Sequence, residues 1–365
     1  MHGTSLWASI SLVSIWYGLD RIPASVVSEG SAVTIGVFDG VHRGHQQLVK
    51  RVIEKARELD VPSVMFTFDP HPTVVFSPER VPAQLGTLEQ RVELAHNMGI
   101  DHVVVVGFTA EIASWSPAEY VDHALVELLH AKAVVVGDNF TFGHKAAGTA
   151  PMLKRLGAER GIDVEVLSLL SDSDAPLESV DGTPGDWVVC STYIREQLAA
   201  GEVTAAARAL GRNFSVRGEV THGAGRGGRA LGFPTANLYF HDKYALPADG
   251  VYAGYVTILP DQVDREAQAQ QPGEPPIVVK AGQKVGTMPV GQKLPAAISV
   301  GTNPTFGHEP RSVESFILDG EADLYGLNVD VEFVERIRGQ ETYSDLDELI
   351  NAINRDVEST RAALR

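Results

Sequence analysis

Along the first half of the chain, unbroken apolar runs alternate with stretches whose apolar positions recur every three or four residues. The runs "AVTIGVF" (32–38), "PSVMFTF" (62–68), "DHVVVVGF" (101–108) and "AKAVVVGDNF" (131–140) are rich in β-branched residues, as strands buried on both faces are. Between them, "HQQLVKRVIEKARELD" (45–60) sets Leu48, Val52, Ile53, Ala56 and Leu59 on one helical face. "TLEQRVELAHNMG" (87–99) opens with Thr87 and Gln90 at capping-box spacing. "SPAEYVDHALVELLH" (116–130) offers Ser116 as N-cap, Pro117 at the first helical position and Glu119 as the reciprocal partner. A helix near 149–160 and a strand near 162–170 continue the alternation, and "IWYG" (15–18) reads as a short strand ahead of it. The pattern predicts an α/β fold, a doubly wound parallel sheet.

Past residue 170 the pattern changes. "SDSDAPLESVDGTPGD" (171–186) is a polar, acidic loop, and two short helices, "STYIREQLAAG" and "EVTAAARALGR", lead to Gly211. Short strand-like segments then follow, separated by Gly- and Pro-rich turns, which predicts a small antiparallel β-barrel. A final helix is expected over 345–364. The domain boundary is expected near 200–212, giving a domain at 15–206, a barrel domain at 207–365 and a loose extension at 1–14. Residues 260–292, rich in Gln, Pro, Gly and Lys, read as a flexible insertion between two barrel strands.

A length of 365 residues agrees with about two domains. The formal net charge of −17 argues against nucleic acid or a polybasic membrane contact, but not against small anionic ligands in a local pocket. Cys190 is the only cysteine, so no disulfide framework exists within the chain and a reducing, cytoplasmic setting is expected. The apolar "SLWASISLVSIWYG" lacks a basic flank and a small-residue cleavage site, and is too short and serine-rich to span a bilayer.

Candidate chemistry concentrates in "GVFDGVHRGH" (36–45), at the end of the first long strand and the start of a helix. Ligands of open parallel sheets bind at the carboxyl ends of strands, and a helix N-terminus there favours anions. Gly36, Gly40 and Gly44 let the backbone approach a ligand, and His42 and His45 can donate hydrogen bonds to phosphate oxygens. Taken alone, the pair also reads as half a zinc site or as ordinary polar turn residues. Further along, Arg195 follows Ser191 and Thr192 at a helix start, and Asn139 follows a buried strand. In "SVESFIL", alternation places Glu314 on one face with Phe316 and Leu318, where a carboxylate is costly unless paired or functional; the bland reading is the solvent face of an edge strand.

"GVFDGVHRGH" resembles the G-x-F-D-G-x-H-x-G-H signature of nucleotidyltransferases that make FAD in bacteria. The likeness continues in "FDPHP" (68–72), "GDNFTFG" (137–143) and "STYIR" (191–195). The second half resembles riboflavin kinase through "GRGGRALGFPTAN" (225–237), "SVGTNPTFG" (299–307) and "SVESFILD" (312–319). The chain is thus similar to the bifunctional riboflavin kinase/FMN adenylyltransferase family. That resemblance implies two ATP-dependent steps, riboflavin to FMN in the barrel and FMN to FAD plus pyrophosphate in the N-terminal domain. It implies that His42 and His45 contact the ATP phosphates and stabilise the transition state. Ser191, Thr192 and Arg195 would hold the pyrophosphate, with Gly36, Phe38, Gly44 and Asn139 also at the nucleotide. Phe68 and Pro70 would border the flavin. In the barrel, Glu314 would be the general base, Gly232, Thr235 and Asn237 would bind the nucleotide, and Asn303 the flavin. Thr235 and Asn237 would carry Mg²⁺, with Gly225, Gly227 and Gly228 in a phosphate-covering loop. Cys190 stands where the family usually has a serine. The implied partners are riboflavin, FMN and ATP, with no nucleic acid and no membrane; a homo-oligomer stays open. Two alternatives are another nucleotidyltransferase with a regulatory barrel and a non-catalytic flavin-binding protein. A class I aminoacyl-tRNA synthetase also uses a histidine loop, but the acidic charge and the lack of its lysine-rich loop speak against it.

Overall fold

The computed structural model describes residues 14–19, 22–23, 27–168, 188–221, 235–241, 243–260, 279–301 and 311–365. The chain divides into two compact units: the first ends at Ser191, and the second is Thr192–Arg365.

The first unit holds a parallel sheet of strands β1 (Ser14–Tyr17), β2 (Ser31–Ile35), β3 (Ser63–Phe68), β4 (His102–Val106), β5 (Ala131–Gly137) and β6 (Asp163–Leu167), in the order β1-β4-β3-β2-β5-β6. Every residue of β2 and β3 is buried, because side chains alternate between two covered faces. Ile35, Phe66, Val104 and Val136 face a core completed by Val121, Leu125 and Leu153 from helices Val121–Leu128 and Ala150–Glu159. Ala32, Met65, Val103 and Val135 face the opposite core, with Val49, Val52 and Ala56 of Arg43–Leu59 and Val92 and Ala95 of Leu88–Asn97. Each large apolar side chain so buried contributes about 1.5–3 kcal/mol. The connection from β4 crosses the sheet to β5, beside β2, so the direction of winding reverses between β2 and β5. That switch point is where an open sheet leaves a crevice.

Both predicted capping boxes form, at Thr87–Gln90 and at Ser116–Glu119. Two details differ from the sequence expectation. Leu59 is 39% exposed, because the helix meets the sheet through Val49, Val52, Ile53 and Ala56 and ends at this residue. The second capped helix, Pro117–Tyr120, continues as a π-helix over Val121–Leu128.

The second unit opens with helices Ser191–Ala200 and Val203–Leu210. Its sheet comprises β7 (Phe214–Glu219), β8 (Ala236–Phe240), β9 (Gly250–Ile258), β10 (Lys293–Gly301), β11 (Arg311–Ile317) and β12 (Asn328–Arg338), ordered β8-β11-β10-β9-β12-β7. All neighbours are antiparallel, and a bridge from Thr221 to Asn237 brings the two sheet edges nearly together. Phe214, Leu238, Tyr252, Ile298, Val313, Val331 and Phe333 fill the interior. A bulge between Ala253 and Gly254 bends β9 against β12; a Cβ on Gly254 would lie 1.9 Å from the Glu332 carbonyl oxygen. Helix Leu346–Ala363 closes the unit, close to the predicted span.

The described residues from Thr192 onward cluster with the second unit, and helix Val203–Leu210 packs on β12 and β7. The expected flexible insertion is ordered over its later part. Lys284–Val285 and Met288–Pro289 form a hairpin, with Met288 and Val290 buried beneath it. Residues 1–13, the whole acidic loop at 171–186, and 261–278 of the insertion lie outside the described residues.

Candidate active sites

At the switch point, β2 ends at Ile35 and the chain turns through Gly36–Val41 into helix Arg43–Leu59. Phe38 and Val41 take left-handed φ values of 53° and 40°, and Gly40 takes 76°. A β-branched residue in that region is a strained exception, of the kind that concentrates at functional sites. His42 caps the helix: its Nδ1 accepts the His45 amide proton at 3.3 Å, which leaves Nε2 as the protonated nitrogen of the neutral ring. The two imidazoles stack, centroids 3.6 Å apart, and Phe38 meets His45 edge-on at 5.1 Å. A Cβ on Gly44 would stand 3.3 Å from the His42 ring, a tight contact to which the ring would have to yield slightly. Burial, with His42 and the Arg91 guanidinium adding to it, pushes the His45 imidazole well below the ordinary histidine range. His45 Nδ1 is buried with no hydrogen-bond partner.

These groups open on a cavity of about 400 Å³. Gly36, Phe38, His42, Gly44 and His45 line one part of it, together with Asn139, Ser168 and Cys190. Another part is largely aromatic, with Phe68, Phe76, Phe108, Tyr120, Phe140 and Phe142 in the lining. Phe68 and Phe76 each pack on Phe108 with centroids 5.5 Å apart. His71 and Pro72 of "FDPHP" line the cavity, whereas Pro70 does not. Ser191 Oγ donates to the Asp39 carbonyl at 3.0 Å, which ties the "STYIR" element to the histidine loop. Thr192 and Arg195 belong to the second unit, Thr192 exposed and Arg195 half-buried.

In the second unit, Glu314 sits on β11, flanked in register by Asn237 of β8 and Ser299 of β10. Cross-strand partners point to one face of a sheet, so Asn237, Glu314 and Ser299 share theirs. β11 is an interior strand, which removes the edge-strand reading. As the alternation predicts, Glu314 shares a face with Phe316, and that face is half-buried, while Val313, Ser315 and Ile317 are the buried alternation and Leu318 lies past the strand end. Burial pushes the Glu314 carboxyl up from the ordinary range, opposed by a hydrogen bond from Ser312 Oγ at 3.3 Å. Thr235 Oγ1 lies 3.2 Å from Asn237 Oδ1, and Asn237 is buried. A small cleft of about 50 Å³ beside Thr235 is lined by Ser315, Ile317, Leu324 and Tyr325 among others. Gly232 and Asn303, like Gly225, Gly227 and Gly228, lie outside the described residues.

Family models match both halves of the chain: FAD synthetase over residues 25–180 and riboflavin kinase over residues 210–364. A bifunctional riboflavin kinase/FMN adenylyltransferase from Pseudomonas fluorescens is 34% identical over 91% of this chain and 93% of its own length. The chain belongs to the bifunctional riboflavin kinase/FMN adenylyltransferase family. Another member, from Escherichia coli K12, is 31% identical over 90% of this chain and 91% of its own. A crystal structure named as a macrolide-efflux protein from Streptococcus pneumoniae superposes with a TM-score of 0.73 at 28% identity, covering 96% of this chain and 98% of that one. The efflux name belongs to that protein. No helix among the described residues here is long and apolar enough to cross a membrane. As a family member with both domains, the chain is a bifunctional enzyme of flavin cofactor biosynthesis, a kinase joined to an adenylyltransferase. With the riboflavin kinase match, a merely regulatory barrel and a non-catalytic flavin binder both fall away.

Sequence reasoning missed most of the aromatic lining, and it missed Arg91. Arg91 is only 4% exposed, on the inward side of helix Leu88–Asn97 beside Val92 and Ala95. Its readable signal was an arginine adjoining the apolar face of an otherwise amphipathic helix.

Proposed function

We propose the following division of labour among the residues. In the second unit, Glu314 accepts the proton of the riboflavin 5′-hydroxyl as that oxygen attacks the γ-phosphorus of ATP; the bond to the β-phosphate oxygen breaks, and FMN and ADP form. A half-buried carboxylate with a raised pKa, on an interior strand beside Asn237, supports this role. The side-chain oxygens of Thr235 and Asn237 are hard donors close together, which fits Mg²⁺. When bound, the ion would offset the charge of the transferring phosphates.

In the first unit, the FMN phosphate attacks the α-phosphorus of a second ATP, and pyrophosphate leaves. The nucleophile is already ionised near neutral pH, so the residues need only position and stabilise. His42 and His45, at a helix N-terminus, donate to the phosphate oxygens where charge builds. Asn139 and Ser191 complete that wall, and Arg195 with Thr192 holds the leaving pyrophosphate. The aromatic part of the cavity, Phe68 included, takes the flavin ring. Asn303 contacts flavin at the kinase site, and Gly232 contacts its nucleotide. A cytoplasmic location follows from the ATP supply both steps require.

The observation that carries this reading is the stacked histidine pair at the switch-point cavity. The test uses full-length protein with riboflavin, ATP and Mg²⁺, and flavins separated by chromatography. His42→Ala with His45→Ala accumulates FMN and makes no FAD. Glu314→Gln makes no FMN yet adenylylates supplied FMN. A folded variant that loses both steps would break the two-site assignment.

A further inference from the structure

We propose that Arg91 is a positioning residue for adenylyl transfer, its buried guanidinium acting both as a clamp on two strand ends and as a fixed cation facing the histidine pair. The inference rests on the adenylyl-transfer role given to His42 and His45. The clamp is explicit in the hydrogen bonds. Arg91 Nη1 donates to the Phe68 carbonyl at 2.9 Å and to Thr67 Oγ1 at 3.1 Å, at the carboxyl end of β3. Thr67 Oγ1 in turn donates to the Val37 carbonyl at 3.0 Å, just past the end of β2. Val37 is followed by Phe38, whose ring packs edge-on against His45. One side chain from helix Leu88–Asn97 thus fixes the segment that carries the histidines and Phe68, the residue that opens the aromatic part of the cavity. A guanidinium this deeply buried costs desolvation, which lowers its own pKa, and the carboxylates of Asp39, Asp69 and Glu89 act in the opposite sense. Asp39 is itself oriented, accepting the Leu85 amide at 2.9 Å.

The cation has a second consequence. The titratable and charged groups facing His45 are His42 from its own loop and Arg91 from the packed helix, with Asp39, Asp69 and Glu89 facing Arg91. Protonating His45 would place an N–H on Nδ1, which is buried and has no acceptor, and would set a second positive charge near Arg91. Burial is the main cause that keeps His45 neutral, His42 comes next, and Arg91 adds to both. Removing the cation raises the His45 pKa, so loss of the neutral form on acidification then begins at higher pH.

Three variants of the full-length chain test this, each assayed for FMN formation and for adenylylation of supplied FMN. Arg91→Met lowers kcat for FAD formation about 10- to 100-fold, with KM for ATP little changed, moves the acid limb of that step to higher pH, and leaves FMN formation intact. Arg91→Lys restores the charge on a differently shaped head group, so the acid limb returns to its wild-type position while kcat recovers only in part. Thr67→Val keeps the cation and cuts the link to Val37, so kcat falls with the acid limb unmoved. If Arg91→Met does not fold, the Lys and Val variants decide. An acid limb that stays put in Arg91→Met, equal losses with identical pH profiles in the Met and Lys variants, or an undiminished kcat in Thr67→Val would overturn the proposal. Absence of FAD formation by the wild-type chain would instead break the underlying reading.

Discussion

A carboxylate is a stronger base when water is kept from it, and Glu314, the general base proposed for the kinase, bears the cost of that burial. Burial is the main cause of its raised pKa, and the single hydrogen bond from Ser312 only partly offsets it. The sign of the linkage follows. A carboxyl whose folded pKa lies above its unfolded value binds its proton more tightly in the folded state. The fold is therefore strained at pH values above that pKa, and the strain disappears below the unfolded value. Glu314→Gln is expected to abolish riboflavin phosphorylation and yet raise the thermal midpoint at neutral pH, with the gain shrinking as the pH falls toward the ordinary carboxylate range. A melting series across pH checks it; a neutral-pH midpoint below wild type would mean the carboxylate is paired more strongly than its surroundings indicate. The activity of the wild-type kinase should fall on acidification through the raised pKa, since only the ionised form accepts the proton.

Elements whose local chemistry agrees with their packing were legible in the sequence; those that depend on partners were not. Thr87–Gln90 and Ser116–Glu119 form the capping boxes their spacing implies, because a cap is satisfied within four residues. The parallel strands were legible because burial on both faces leaves no polar alternation. Strand periodicity gives alternate positions but not which set faces the core, so the burial of Ser315, 1% exposed on β11, was not legible. The histidine loop was legible as a place, but the depth of Arg91 and the aromatic wall were not, since both are assembled from segments far apart in sequence. The same holds for the closing helix Leu346–Ala363. Its periodicity predicts the helix, but not that Asp356, only 7% exposed, receives both arms of Arg338 from β12, with Nε at 2.9 Å and Nη2 at 2.6 Å. Breaking one side of a buried, bidentate pair leaves the other charge uncompensated. Asp356→Ala should therefore lower unfolding stability by about 3 kcal/mol, read by urea denaturation. A loss below about 0.5 kcal/mol would place the pair with ordinary surface ion pairs.

At the scale of the whole molecule, the two chemistries occupy different compact units and share one intermediate, FMN. The cavity of the first unit is lined wholly by residues at or before Cys190, and Glu314, Asn237 and Thr235 all lie in the second. The units are joined in sequence within "STYIR", where Ser191 ends the first and Thr192 begins the second. Nothing in either set of residues requires FMN to pass directly from one site to the other: a product released from the barrel is a soluble dianion that any copy of the first unit can bind. Crippled chains should therefore complement one another. A chain carrying His42→Ala and His45→Ala makes FMN only; a chain carrying Glu314→Gln adenylylates FMN but makes none. Mixed in equal amounts with riboflavin, ATP and Mg²⁺, the two should yield FAD after a lag, while FMN accumulates in solution, and added apo-flavodoxin-type FMN traps should lengthen that lag. A mixture that forms FMN but no FAD, under conditions where the Glu314→Gln chain converts supplied FMN, would show that the intermediate is not freely exchanged, and that the covalent linkage of the two units serves transfer rather than co-expression alone.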